Sequence, residues 1–248
     1  MHKHFFIIII RFSMAILLAV LCNLRAHTQI NPKLFIDFGK HNASNDYIVN
    51  AGVITSYKFE KNEIGAGVLF DIKPNSEKFF KNTFAEISRD FKIKKYKLNA
   101  NAFFMYNDFS NLVVEYDWGV FVGLNNEKFK LNLGLFSKIF SLTSYAITEY
   151  EISDNYCFAE NFGLLYCISY QIKPDENIYN LSIAITNKDY FLLTRSTNPM
   201  LKIYTNYRFS EDLMWFAEAW LKTSGSFNLS INYFGFLART GLIWQIGK

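Results

Sequence analysis

The chain has 248 residues, half of them hydrophobic and 18% aromatic, yet its mean hydropathy lies close to zero. With only 4 prolines and so many aromatic and β-branched residues, it is not a disordered chain, and it suits pleated surfaces better than helices. Its 26 basic and 22 acidic residues give a formal charge of +4, and all but one of those excess charges lie in the N-terminal segment.

There, His2, Lys3 and His4 precede FFIIIIRFSMAILLAVL, and Ala26 and Thr28 follow. A basic start, an apolar segment and small residues describe a secretory signal peptide over 1–28, cleaved after Ala26 or Thr28. Arg11 interrupts the apolar run, which makes Met14 an alternative start, and an uncleaved anchor is the alternative fate. Leu21 before Cys22 does not fit a lipoprotein signal. Removing the segment takes away Lys3, Arg11 and Arg25, leaving 23 basic residues against 22 acidic. The near-neutral remainder, 29–248, gives no argument for nucleic acid. Cys157 and Cys167 remain; on one extended strand they would stand about 33 Å apart, beyond disulfide reach.

Beyond the signal, apolar residues recur at every second position, the period of strands. The pattern predicts strands near 33–40, 47–59, 63–73, 81–92, 95–106, 111–124, 127–139, 157–172, 177–188, 199–209, 212–222 and 237–247. In the fifth, Tyr96, Leu98, Ala100, Ala102, Phe104 and Tyr106 share one face. In the sixth, Val114, Tyr116, Trp118, Val120, Val122 and Leu124 oppose Glu115, Asp117, Gly119, Phe121 and Gly123. In the seventh, Phe129, Leu131, Leu133, Leu135 and Ile139 oppose Lys128, Lys130, Asn132, Gly134, Phe136 and Lys138. Short turns, as at Lys61-Asn62 and Asn125-Asn126, alternate with a set that includes long links near 140–156, 189–198 and 223–236. Arg89 falls on an apolar face, close to a tight turn. Phe227, Leu229, Ile231 and Tyr233 alternate out of phase with the last strand.

A signal peptide, twelve strands of ten or so residues, and short turns alternating with longer loops resemble a bacterial outer-membrane β-barrel. Aromatics near the tight turns (Phe59, Phe91, Tyr96, Phe129, Tyr170, Tyr179, Phe209, Trp215, Trp244) would form an interfacial girdle. The resemblance implies an all-β, transmembrane, antiparallel up-and-down barrel of twelve strands, ten and fourteen being the alternatives. It also implies outer-membrane lipid as the surroundings and both mature termini on the periplasmic side. A soluble sandwich or barrel also alternates, but its strands are usually shorter.

With the apolar face turned to lipid, the other face lines a lumen. The expected lining includes Lys97, Asn99, Asn101, Glu115, Asp117, Lys128, Lys130, Asn132, Lys138, Lys202, Arg208, Glu218 and Arg239. A two-residue turn at Asn125-Asn126 sets Asp117 opposite Gly134 and Glu115 diagonal to Lys138. A short loop at 107–110 sets Asp117 beside Asn99, with Lys97 diagonal. Two functions follow. One is a narrow channel for small polar or anionic solutes, favoured because inward glycines leave space and Lys128, Lys130, Lys138, Lys202, Arg208 and Arg239 attract anions. The other is a closed barrel acting structurally, or within a secretion or envelope assembly, braced by Lys97–Asp117 and Glu115–Lys138 contacts.

A lipid-modifying hydrolase is the weakest reading, since only His41, near Ser44 and Asp46, offers a triad. No Cys/His cluster, phosphate loop or calcium-loop spacing appears, so no cofactor and no metal are expected. The acidic, Tyr-rich segment 140–156 reads as a solvated outer loop; its alternatives are a lumen plug or, with 223–236, a contact for other envelope proteins.

Overall fold

The computed structural model describes residues 28–40, 47–74, 76, 79–93, 96–108, 111–126, 128–152, 157–173, 178–188, 199–222 and 235–247. Twelve strands are present: β1 (Thr28–Lys40), β2 (Tyr47–Phe59), β3 (Asn62–Asp71), β4 (Phe80–Ile93), β5 (Tyr96–Asn107), β6 (Val113–Asn125), β7 (Phe129–Leu142), β8 (Cys157–Lys173), β9 (Tyr179–Thr186), β10 (Met200–Arg208), β11 (Leu213–Lys222) and β12 (Phe236–Trp244). Each pairs antiparallel with its neighbours in sequence, and β12 closes onto β1. The protein is a closed up-and-down barrel. The strand starts and ends expected from alternation hold within three residues, except that β1 begins at Thr28, five residues before the expected 33.

Period two dictates the wall. On β1, Leu34, Ile36 and Phe38 are exposed while Phe35 and Asp37 between them are buried. On β6, Trp118, Val120 and Val122 face out while Asp117, Gly119 and Phe121 face in. Ile87, Val120 and Leu133 are each half or more exposed, at 54%, 52% and 50%. So continuous an apolar exterior needs hydrocarbon around it, and hydrocarbon in turn requires a wall without unpaired edges.

Aromatic side chains mark both limits of the apolar band. At the tight-turn end, the rings of Phe129 and Tyr170 lie 4.9 Å apart and those of Tyr57 and Phe59 lie 5.5 Å apart. At the loop end a second set runs Phe79, Phe70, Phe80, Tyr106, Tyr116, with centroid separations between 4.8 and 6.4 Å. This second girdle was not foreseen, because its members come from four segments that meet only through pairing. A β-bulge beside Leu69 and Phe70 helps place Phe80 in it. From Tyr96 to Tyr106 a strand tilted by about 45° rises roughly 24 Å, which matches an apolar band of about 25 Å.

Two expected registers are corrected. Asn125 pairs with Lys130, and the Asn126 N–H donates to the Phe129 carbonyl at 2.8 Å, so the turn falls beyond Asn126 and not on Asn125-Asn126. Asp117 therefore lies opposite Lys138, and Gly134 lies opposite Phe121. The connection after β5 is longer too: Asn107 pairs with Glu115, which puts Asp117 opposite Met105 and Asn99 opposite Gly123. Lys97, opposite Asn125, is at the other end of the barrel from Asp117, and the two do not meet. The diagonal approach of Lys138 to Glu115 survives the shift.

Residues 140–142 continue β7 and are not part of a loop. They lead to a short helix, α1 (Ser144–Glu149), capped by the Thr143 hydroxyl, which accepts from the Ala146 N–H at 3.1 Å. The Thr143 N–H donates to the Leu112 carbonyl at 2.9 Å, tying α1 to the neighbouring loop, and Tyr145 and Tyr150 stay exposed. Arg89 faces outward, opposite Asn62 and Ala100. The β1–β12 ladder runs from Lys33–Ile243 to Lys40–Phe236, and resumes only as an isolated bridge between Ile30 and Ile246; Asn31 and Pro32 lie in the gap. The signal segment, the 41–46 loop with His41, Ser44 and Asp46, and the Phe227–Tyr233 stretch lie outside the described residues.

The facing is testable. Lipid-borne quenchers should reach labels at Leu98, Val120 and Leu133, and should not reach labels at Asn99 or Asn132. The opposite result on β6 or β7 would mean a one-residue slip in register.

Candidate functional site

The lumen is the candidate site, and pairing sorts its side chains into tiers. At the turn end one tier runs Lys92, Lys97, Asn125, Lys130 and Ser169 across β4 to β8. Lys92, Lys97 and Lys130 are exposed to water there. Lys92 and Lys97 stand directly opposite each other, a like-charge pair that disfavours pairing unless water or an anion intervenes. The next tier holds Asp90, which accepts from the Asn99 amide at 2.8 Å, and Asn132 opposite Gly123. Further in, the Asn101 amide donates to Glu86 at 3.1 Å.

The middle of the lumen is apolar. Phe35, Leu69, Phe84, Met105 and Phe216, none more than 3% exposed, form one cluster with Ile54, Tyr204 and Ile243. Phe216 on β11 and Met105 on β5 are far apart in the wall, so this cluster spans the lumen. Phe103, Phe121, Phe136 and Leu165 form a second cluster against the β5–β8 wall. The inward glycines are the counterpart of these rings. Phe35 is paired with Gly52 on one side and Gly241 on the other. A Cβ on Gly52 would come within 2.2 Å of the Phe35 ring, and one on Gly163 within 2.7 Å of the Phe136 ring. The space expected from the glycines is therefore occupied, by aromatic rings over Gly52, Gly119 and Gly163 and by the Glu86 and Asn132 side chains over Gly65 and Gly123.

Above the belt, toward the loop end, sit two buried ionic groups. Arg239 donates to both oxygens of Asp37, at 2.7 and 3.1 Å, and its other nitrogen approaches Glu218 at 3.7 Å. Lys33 and Lys202 each reach Glu218 at 3.2 Å. Their ammonium groups also stand over the Phe216 and Trp220 rings, at 3.8 and 4.2 Å from the centroids. On the other wall Glu115 accepts from the Asn107 amide at 2.6 Å and lies 3.6 Å from Lys138, with Asp117 next to it on β6. The first group carries three cations for two carboxylates. In the second, two carboxylates face one lysine.

Register thus places Lys97, Asn99, Asn101, Glu115, Asp117, Lys130, Asn132, Lys138, Lys202, Arg208, Glu218 and Arg239 on the inner wall. Lys128 is different: it lies exposed in the turn before β7, at the rim. Sequence reasoning missed Lys33, Asp37 and Lys92. Asp37 and Lys92 could have been found by carrying the alternation one step further, from Phe35 and from Asp90. Glu115–Lys138 meets as expected, whereas Lys97–Asp117 does not.

No family model matches the chain, and no curated protein matches it. Solved structures do match in fold. A KdgM porin superposes with a TM-score of 0.52 at 9% identity, covering 86% of this chain and 98% of the other. A KdgM porin in complex with disordered oligogalacturonate gives 0.50 at 10% identity, covering 87% and 98%. A NanC porin gives 0.49 at 10% identity, covering 87% and 98%. The fold is that of bacterial outer-membrane β-barrels, and at this identity the likeness extends to nothing finer.

Two substitutions probe the interior. Gly52→Ala should force the Phe35 ring from its seat and cost about 1–3 kcal/mol, the usual scale of overpacking. Asp37→Ala leaves Arg239 buried without its bidentate partner and should cost about 3–5 kcal/mol. Urea unfolding of the barrel in lipid vesicles reads both, and the Asp37 variant should be the less stable.

Proposed function

We propose that the protein is a narrow passage for small polar solutes across the bacterial outer membrane, biased toward anions and held closed by its own side chains. The observation that carries this reading is the tier of Lys92, Lys97 and Lys130 at the turn-end mouth. Three exposed ammonium groups on one inner arc raise the local concentration of anions, and the low-dielectric wall behind them focuses that field. A barrel needing only structural support gains nothing from opposing Lys92 to Lys97. What closes the lumen is a belt of side chains on a complete barrel wall. Rotation of Phe35, Phe84 or Phe216 would widen it without moving a strand.

A second reading keeps one strong observation: the belt and the ionic groups above it are packed against each other, as in a barrel that serves as a membrane support within an envelope assembly. The exposed Tyr145 and Tyr150 on and beside α1 would then be a place for such a partner.

Planar-bilayer recording separates the two. The wild-type barrel should open rarely, and Phe35→Ala/Phe216→Ala should give frequent, larger openings. Lys92→Glu/Lys97→Glu/Lys130→Glu in that background should shift the reversal potential toward cations. If the belt variant inserts, as shown by protease protection, and stays silent, the passage is excluded and the supporting role stands.

A further inference from the structure

The outer wall bears a hollow of about 650 Å³ across β4 to β7. Its floor is made by Ala100 and Ala102 on β5, and its sides by Ile87, Val120, Val122 and Leu133. Pairing shows how it arises. One outward tier reads Ile87, Ala102, Val120, Leu135 and the next reads Arg89, Ala100, Val122, Leu133, so two alanines stand where neighbouring strands carry branched side chains. The tier above is filled by Phe104 and Trp118, which project from the wall at 48% and 40% exposure. The tier below is filled by Phe91, Leu98 and Leu124. The hollow is therefore a short trough between the raised rings of Phe104 and Trp118 on one side and Phe91, Leu98 and Leu124 on the other, at the depth of acyl chains.

Arg89 lines the turn-end side of this trough with Asn62. Among the described strand residues facing the bilayer between the two girdles, it is the one charged side chain. It makes no hydrogen bond or ion pair with another described residue. An outward arginine is tolerated near the interface and costs more with depth. Its long stem can lie along apolar surface while the guanidinium reaches the headgroup layer, where a phosphate offers a bidentate partner.

We propose that this trough holds one phospholipid of the turn-end leaflet, with an acyl chain over Ala100 and Ala102 and its phosphate on Arg89. Inside a bilayer the chain gains no hydrophobic energy by entering the trough. It gains dispersion contacts that a void would forfeit, and the guanidinium fixes which lipid stays. The position of Arg89 at the turn-end side selects a lipid of that leaflet rather than a lipopolysaccharide of the other.

The test is native mass spectrometry of the intact barrel, extracted from vesicles containing dioleoyl phosphatidylglycerol and lipopolysaccharide and then washed with detergent. One phosphatidylglycerol should persist on the wild type. Arg89→Gln should reduce its retention about five-fold, the scale of one basic residue at anionic lipid. Ala102→Leu, which fills the trough from the lipid side and leaves the lumen alone, should abolish retention. Ala66→Leu, outward but outside the trough, should leave it unchanged. Equal retention in all four proteins, or retained lipopolysaccharide, overturns the proposal. A dimer that Ala102→Leu dissociates does the same, and assigns the trough to a second copy of the chain.

Discussion

The structure depends on closure of the backbone hydrogen-bond ladder in a medium that offers no other partner. A strand exposed to hydrocarbon on one edge would leave a row of donors and acceptors unpaired, at several kcal/mol each. Pairing of β12 with β1 removes that edge and leaves the twelve strands as one continuous wall. Alternation then does the rest. Once the wall is closed, each residue has only two addresses, lipid or lumen, and the polarity of the side chain selects between them.

The lumen shows how a barrel of this size can be filled from its own wall. Glycine and aromatic residues occupy paired positions, so that a ring from one strand covers the bare backbone of the next, a device known to compensate glycine in sheets. Phe35 over Gly52 and Phe136 over Gly163 are examples. The ionic groups above this belt are packed against the same rings: Lys33 stands over Phe216, and the Arg239 guanidinium lies 4.4 Å from the Phe35 ring centre. Packing and charge pairing are thus coupled, and a change in one propagates to the other through a handful of side chains.

Most of the architecture was legible in the sequence because period two is a local signal. The strand count, the facing of Val120 and Asp117, and the outward position of Arg89 follow from alternation alone. Registers were less legible, since they depend on turn length. The chain turns beyond Asn126 rather than on the Asn125-Asn126 pair, and the connection from Asn107 to Glu115 is longer than 107–110. Each difference moved Asp117 to a new neighbour. The filling of the lumen was illegible for another reason. A glycine facing inward reads as space when its strand is considered alone, and as a seat for a ring only when the partner strand is known. Lys92 escaped notice even though the alternation from Asp90 places it with Lys97.

The break in the seam at Pro32 carries a consequence for how the wall is assembled. Proline has no N–H to donate, so the β1–β12 ladder cannot run unbroken through that position. At the turn end, Ile30 and Ile246 exchange two backbone hydrogen bonds of 2.9 and 2.8 Å, while the main ladder begins only at Lys33. The seam is a zip with a missing tooth two residues from one end. During insertion, when the last strand must find the first, the long segment from Lys33 to Lys40 can close as a unit and set the register. The Ile30–Ile246 clasp then fastens separately. Under lateral tension in the membrane the order reverses, and the clasp is the point from which the cylinder would begin to unfurl.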